Sequence, residues 1–217
     1  MNVEIWSDIA CPWCYIGKRR FEAALAEFEH RDEVNVIWRG FELDPDAPEE
    51  RTGDRAERLA SKYGMTVEQA KASEAQLVAT AAGEGLEFRF DIARSGNTFD
   101  GHRLVHLAAT HGLADEMKER LLRAYFTEGE LIGDRDTLVR LAGEVGLPAD
   151  EVAQALTDGG YADEVRDDER TAAGFGIGAV PTFVVDRAIG ASGAQPPEAL
   201  LDLLRQGWER QRRPAAA

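Results

Sequence analysis

Two residues in this chain have the type and spacing to do covalent chemistry. Cys11 and Cys14 are the only cysteines, and Pro12 and Trp13 separate them. Two thiols three positions apart close too short a loop to restrict the unfolded chain much. Their value must therefore be chemical. A Cys-x-x-Cys that follows a strand and opens a helix reads as a dithiol redox site. Cys11 falls at the helix N-terminus, where unpaired N–H groups and the positive end of the helix dipole favour a thiolate. A thiolate is the species that attacks a disulfide. Cys14 lies on the same helix face and can reach back to resolve a mixed disulfide. Pro12 fits the first turn, where its missing N–H costs no hydrogen bond. Trp13 places a large apolar ring beside the nucleophile. A structural zinc site is the competing use of a cysteine pair, but it needs about four ligands. His30, His102, His106 and His111 offer no closely spaced Cys/His pair to complete one. No metal is therefore expected.

The elements that must hold this pair are legible around it. Residues 2–7 alternate as a strand, with Val3 and Ile5 on one side and Glu4 and Trp6 on the other. A helix is predicted from about 11 to 29, on Ile16, Phe21, Ala24, Leu25 and Phe28. Residues 34–41, rich in Val, Ile, Trp and Phe, make a second strand. This β-α-β order implies a parallel pair with a right-handed crossover. Helix signals then dominate from about 55 to 175, punctuated by Gly64, Gly85, Gly112 and Gly146. Thr66 with Gln69 reads as a capping box. Strand character returns at 182–186 and 188–191, and a last helix starts near Pro196 with Leu200, Leu201, Leu204 and Trp208 as its apolar stripe. Residues 210–217 read as a frayed tail.

The expected fold class is therefore α/β: a thioredoxin-like β-α-β … β-β-α arrangement with a large all-helical insertion. Residues 1–48 and 176–217 would form one discontinuous domain, and 49–175 the helical subdomain. The second chemical element is Val180-Pro181-Thr182-Phe183. A proline directly before a strand is compatible with a cis peptide bond. That geometry would present the Val180 backbone to an extended substrate as an added strand. Asn97 or Thr98 is most economically a helix cap. His102 and His106, four apart, lack the glutamate of a His-Glu-x-x-His site.

Composition narrows the partners. Lys and Arg number 25 against 40 Asp and Glu, a net charge of −15. Such a surface repels phosphate backbones and anionic membranes, so neither nucleic acid nor membrane is expected as a partner. No apolar run reaches the length of a bilayer span. The opening residues Met1-Asn2-Val3-Glu4-Ile5-Trp6 lack the pattern of a secretion signal. A cytoplasmic location is the resulting expectation, and a homodimer is expected only as the general tendency of soluble chains.

Cys11-Pro12-Trp13-Cys14 together with Val180-Pro181-Thr182 resembles the thioredoxin superfamily. The long helical insertion is similar to that of the DsbA branch, and more closely to its FrnE-like members. The stretches that carry this run through nearly the whole chain. They are Ser7-Asp8, Cys11 to Lys18, Phe41-Glu42-Leu43-Asp44-Pro45, and Asn97-Thr98 with His102-Arg103-Leu104. Ala124-Tyr125-Phe126 with Gly133-Asp134, Val180 to Phe183, and Ser192-Gly193-Ala194-Gln195 complete them.

The resemblance implies a thiol–disulfide oxidoreductase with Cys11 attacking, Cys14 resolving and Pro181 as a cis-proline facing them. Pro12, Trp13, Val180 and Pro181 would contact the thiol- or disulfide-containing substrate, protein or small molecule. The redox centre would be the Cys11–Cys14 disulfide itself, with glutathione admitted as a co-substrate. Some relatives carry another cysteine pair near the C-terminus, and this chain has none. The same branch includes glutathione-dependent 2-hydroxychromene-2-carboxylate isomerases and kappa-class glutathione transferases, which typically have Ser where Cys11 stands. For that alternative, Asn97, His102 and Arg103 are the polar residues expected in the groove.

Overall fold

The computed structural model describes residues 1–212. β1 (Asn2–Ser7) lies inside a four-stranded sheet of order β2-β1-β3-β4, with β2 at Asn35–Gly40, β3 at Thr182–Val185 and β4 at Ile189–Ser192. β1 pairs parallel to β2 with Val3 opposite Val36, and antiparallel to β3 with Ile5 opposite Phe183. The parallel pair requires a crossover, and α1 (Pro12–Glu27) supplies it. β3 and β4 are antiparallel, joined through Asp186 and Arg187, both at positive φ (46° and 55°). Two consecutive residues in that region make the tight turn whose twist matches a hairpin.

Between the sheet halves run α2 (Arg55–Tyr63), α3 (Val67–Gly83), α4 (Phe99–Thr110), α5 (Ala114–Arg123), α6 (Arg135–Val145), α7 (Ala149–Asp158) and α8 (Ala162–Gly174). α3 starts on the expected capping box, with Thr66 and Gln69 bonding each other's backbone amides. α2 and α6 end on Gly64 and Gly146 in the left-handed conformation. Within the stretch of helix signals from 55 to 175, α5 stops at Arg123 and a π-helical turn, Ala124–Glu128, follows. Hydrophobic periodicity does not distinguish these, because one inserted residue hardly changes the pattern. α9 (Pro197–Arg212) closes the chain. The expected frayed tail lies, from residue 213, outside the described residues.

The alternation along β1 divides the core. Val3 and Ile5 join Phe183 and Val185 in an apolar cluster with Phe21 and Ala24 of α1 and Leu200 and Leu204 of α9. That cluster continues without a break through Tyr15, Phe88, Phe126 and Leu104 into the helical segment. On the opposite side of β1, Trp6 packs with Val184, Ala172 of α8, Cys11, Cys14 and Val180. The Trp6 indole donates to the Asp168 carbonyl at 2.9 Å. α4, α5 and α8 pack along β2, so the inserted helices share the core and wall in the loop that carries the cysteines.

Candidate active site

The β1–α1 connection, Asp8–Cys11, turns tightly. The Cys11 amide bonds the Asp8 carbonyl at 3.3 Å, and the Ala10 amide bonds Asp8 Oδ1 at 3.2 Å. Cys11 is the N-cap residue of α1 with extended backbone, Pro12 takes the first helical position, and the Cys14 amide donates to the Cys11 carbonyl at 3.0 Å. Proline is favoured there because its fixed φ suits a helix start. Both thiols are free and nearly covered, Cys11 being 4% exposed and Cys14 1%. Trp13 stands 43% exposed beside them, an apolar face at the mouth of the site.

Facing the helix start is the loop before β3. The Val180–Pro181 peptide bond is cis. Cys11 Sγ lies 3.6 Å from the Val180 carbonyl oxygen. The Pro181 carbonyl accepts from the Gly193 amide at 2.7 Å, and Thr182 Oγ1 donates to the Ala179 carbonyl at 2.8 Å. α1 approaches this loop at Gly17, where a Cβ would sit 2.8 Å from Pro181 Cγ. Glycine is required at that crossing because α1 and the proline ring are already in contact.

Beneath the thiols is a set of buried charges. Lys118 of α5 is 1% exposed, and its Nζ donates to the Ser7 carbonyl at 3.0 Å and sits 5.6 Å over the Trp38 ring. Burial lowers its pKa to about 8, against the attraction of Cys14, Asp8, Cys11 and Asp168. Burial pushes the Cys14 thiol well above its ordinary value, and the adjoining Cys11 acts in the same direction. The Lys118 ammonium and the Ser7 hydroxyl pull it back. Asp8 is buried too, yet His102 and the amides of Leu43 and Ala10 overcome burial and hold its carboxyl below the usual range. His102 Nε2 lies 3.5 Å from Asp8 Oδ1, and burial lowers its pKa despite that carboxylate. Asp168 of α8 accepts from the Gly40 amide at 2.7 Å and Arg39 at 3.0 Å, and lies 2.8 Å from His106 Nε2. Glu42 is held by Arg166 at 2.7 Å, yet burial raises its pKa to about 7. Among the described residues no group of three His, Cys, Asp or Glu side chains is arranged to hold a metal ion.

The sequence expectations divide against this geometry. Cys11, Cys14, Val180 and Pro181 come together, with Pro12 and Trp13 at the rim. His102 reaches the site from below, fully buried beside Asp8, not as a groove-lining contact. Arg103 is a correction. Its guanidinium is turned into the α4–α7 packing, bonding the carbonyls of Ala155 and Gly160 and the Asp100 carboxylate. Ala155 lies in the last turn of α7 and Gly160 just beyond it, so the buried guanidinium is used up in securing that helix end. Asn97 is likewise scaffold. Its Oδ1 caps α4 at the Phe99 amide (2.8 Å) and its Nδ2 reaches the Pro45 and Ala47 carbonyls at 3.3 Å. Sequence reasoning missed Lys118. The available signal was its place among Met117, Leu121 and Leu122 on the buried face of α5.

A dithiol at the start of a helix, facing a cis-proline loop on a four-stranded sheet with helices inserted before β3, defines a DsbA-like thioredoxin fold. The chain belongs to the DSBA-like thioredoxin domain family, whose sequence model matches residues 2–205. It is similar to a probable DsbA oxidoreductase of Streptomyces coelicolor, with 49% identity and a TM-score of 0.93, covering 100% of this chain and 93% of that one. The cytosolic disulfide reductase DsbM of Pseudomonas aeruginosa, solved with GSH, shares the fold at 19% identity and a TM-score of 0.67, over 96% of this chain and 100% of that one. The uncharacterized protein YwbO of Bacillus subtilis is 29% identical over 197 residues, 89% of this chain and 92% of its own. No described helix is long and apolar enough to cross a membrane.

Proposed function

We propose that this protein is a thiol–disulfide oxidoreductase that works through Cys11 and Cys14. The Cys11 thiolate attacks one sulfur of a substrate disulfide, forming a Cys11–substrate disulfide and releasing the other half as a thiolate. Cys14, once deprotonated, attacks Cys11 Sγ and expels the second thiolate. The substrate is then reduced and the Cys11–Cys14 pair oxidised, and the reverse sequence oxidises a dithiol.

One observation carries this reading: a thiol at the N-cap of α1, 3.6 Å from the carbonyl that precedes the cis proline, with a second thiol one turn behind. The Val180 backbone offers the substrate chain an edge to pair with, and Trp13 an apolar surface to lie on. Lys118 gives the buried Cys14 a cationic neighbour at the moment it must lose its proton. Its own pKa of about 8 lets it exchange protons near neutrality.

The test is variant chemistry on a disulfide substrate. Cys11→Ser should reduce exchange to the background rate. Cys14→Ala should accumulate a covalent protein–substrate adduct, visible by intact mass and released by dithiothreitol. Turnover by Cys11→Ser at the native rate refutes the assignment.

A further inference from the structure

The loop that follows β2 buries a carboxyl for which the exchange steps have no use. Glu42 is 5% exposed, and its side chain is wholly covered. Its Oε2 accepts from Arg166 Nη1 at 2.7 Å, whereas its Oε1 is buried without a hydrogen-bond partner. Arg166 is a shared cation. The same nitrogen donates to Glu169 at 2.7 Å, and the guanidinium lies 4.2 Å over the Phe99 ring of α4. Of the charges that face Glu42, Arg166 of α8 attracts it, and Glu169 of α8 and Asp8 of the β1–α1 connection repel it. Covering a carboxylate and leaving one oxygen unpaired is costly. Burial, with those two carboxylates, outweighs Arg166 and raises the Glu42 pKa to about 7.

The residues on either side of Glu42 tie it to the dithiol. Phe41 packs against the cluster that holds Trp6, Cys11, Cys14 and Val180. The Leu43 amide donates to Asp8 Oδ2 at 2.8 Å. Asp8 in turn fastens the cysteine loop, its Oδ1 accepting from the Ala10 amide and its carbonyl from the Cys11 amide. Behind Asp8 stand His102 of α4, 3.5 Å away, and the Lys118 ammonium of α5. A charge appearing on Glu42 therefore enters the same buried set of groups as the thiols. Unit charges in such a medium interact far more strongly than in water.

We propose that Glu42 is a positioning residue for the dithiol: acting through Asp8, its carboxylate opposes thiolate formation at Cys11, so the pair is a stronger oxidant with Glu42 protonated than with Glu42 ionised. The inference rests on the exchange reading and gives that site a regulator. Glu42 touches neither sulfur and acts by charge alone. With its proton on, Asp8 is the carboxylate that faces His102 and Lys118 below the thiols, and a thiolate at Cys11 meets less negative charge. With the proton off, a second carboxylate stands beside Asp8 and the thiolate is disfavoured. A dithiol whose thiolate is stabilised oxidises its partners, and one whose thiolate is destabilised retains its disulfide. The change falls near neutrality, where a carboxyl in water would already be ionised.

The test reads ionisation apart from disulfide chemistry. In a Cys14→Ala background Cys11 is the remaining thiol, and its ultraviolet thiolate absorbance is titrated with and without Glu42→Gln. Glutamine keeps the size of Glu42 and an acceptor for Arg166. The carboxyl carbon resonance of Glu42 is titrated by NMR with and without Cys11→Ser. Coupling between two groups appears in the curve of whichever ionises second. Thiolate formation should therefore be about threefold more favourable in the glutamine chain, or Glu42 ionisation about threefold more favourable in the serine chain. Glu42→Asp, which keeps the charge, should leave the thiol curve where Glu42 puts it. Both curves unmoved would overturn the proposal. The NMR arm keeps Glu42 in place, so it decides the matter even where Glu42→Gln fails to fold. A shift in either curve, together with no disulfide turnover, supports the coupling and refutes the exchange reading.

Discussion

Replacing Lys118 by methionine should change how stability depends on pH, by an amount the structure fixes. The ammonium is buried at the foot of the dithiol, and its pKa falls from 10.5 to about 8. Below about pH 8 Lys118 is charged in both folded and unfolded chains, so the folded state carries the full penalty of burying that charge. Between about 8 and 10.5 the unfolded lysine still holds its proton and the folded one does not. Stability therefore rises with pH across that window, because the unfolded state binds more protons. The gap corresponds to roughly 3 kcal/mol. Cys14 works with the opposite sign, since burial raises its pKa well above the ordinary 9.0 and the folded thiol keeps a proton that the unfolded one loses. The comparison is therefore made in a Cys14→Ala background, with and without Lys118→Met. Loss of Cys14 also removes the foremost attraction that keeps Lys118 protonated, so the gap can only widen. Urea unfolding at pH 7.5, 9 and 10.5 gives the free energies. The Lys118 chain should gain about 3 kcal/mol relative to the methionine chain over that range. Parallel stability profiles for the two chains would refute the placement of a buried, titrating lysine beneath the thiols.

Two other perturbations test the packing around the site. Gly17→Ala puts a methyl 2.8 Å from Pro181 Cγ, so α1 and the proline loop must separate. Thermal unfolding should show a loss of about 1–3 kcal/mol, and a native melting curve would contradict the contact. Glu42 has a pKa raised from 4.5 to about 7, so the folded chain holds a proton that the unfolded chain loses between those values. Stability should fall by roughly 2–3 kcal/mol as pH rises from 4.5 to 7, and Glu42→Gln should remove that decline.

Local physics made much of this protein legible. The strand before Cys11, the proline in the first turn and the amphipathic run after it are short-range features, and so is the Thr66–Gln69 capping box. The break between the last two strands is equally local, although Asp186, which reads as the end of the strand 182–186, belongs with Arg187 to the turn. What escaped is what tertiary packing assembles. Lys118 is 104 residues from Cys14 and meets it only because α5 packs along β2. Lysine in a helix is ordinarily solvated, and its burial was marked only by the apolar residues around it. Arg103 shows the opposite error. Beside His102 in sequence it reads as a groove residue, yet adjacent helix positions point about 100° apart, and its guanidinium faces the end of α7. Tyr125 was visible as part of a family stretch, but the π-helical turn that carries it has no periodic signature.

The central claim is that Cys11 and Cys14 form a reversible redox couple. It is tested most directly by equilibrating the protein with glutathione buffers of graded poise and counting alkylated thiols by intact mass. The account predicts one two-electron transition, with a tenfold change in the oxidised-to-reduced ratio for every 30 mV or so, and its absence in the Cys14→Ala chain. No intramolecular disulfide at any poise would contradict it.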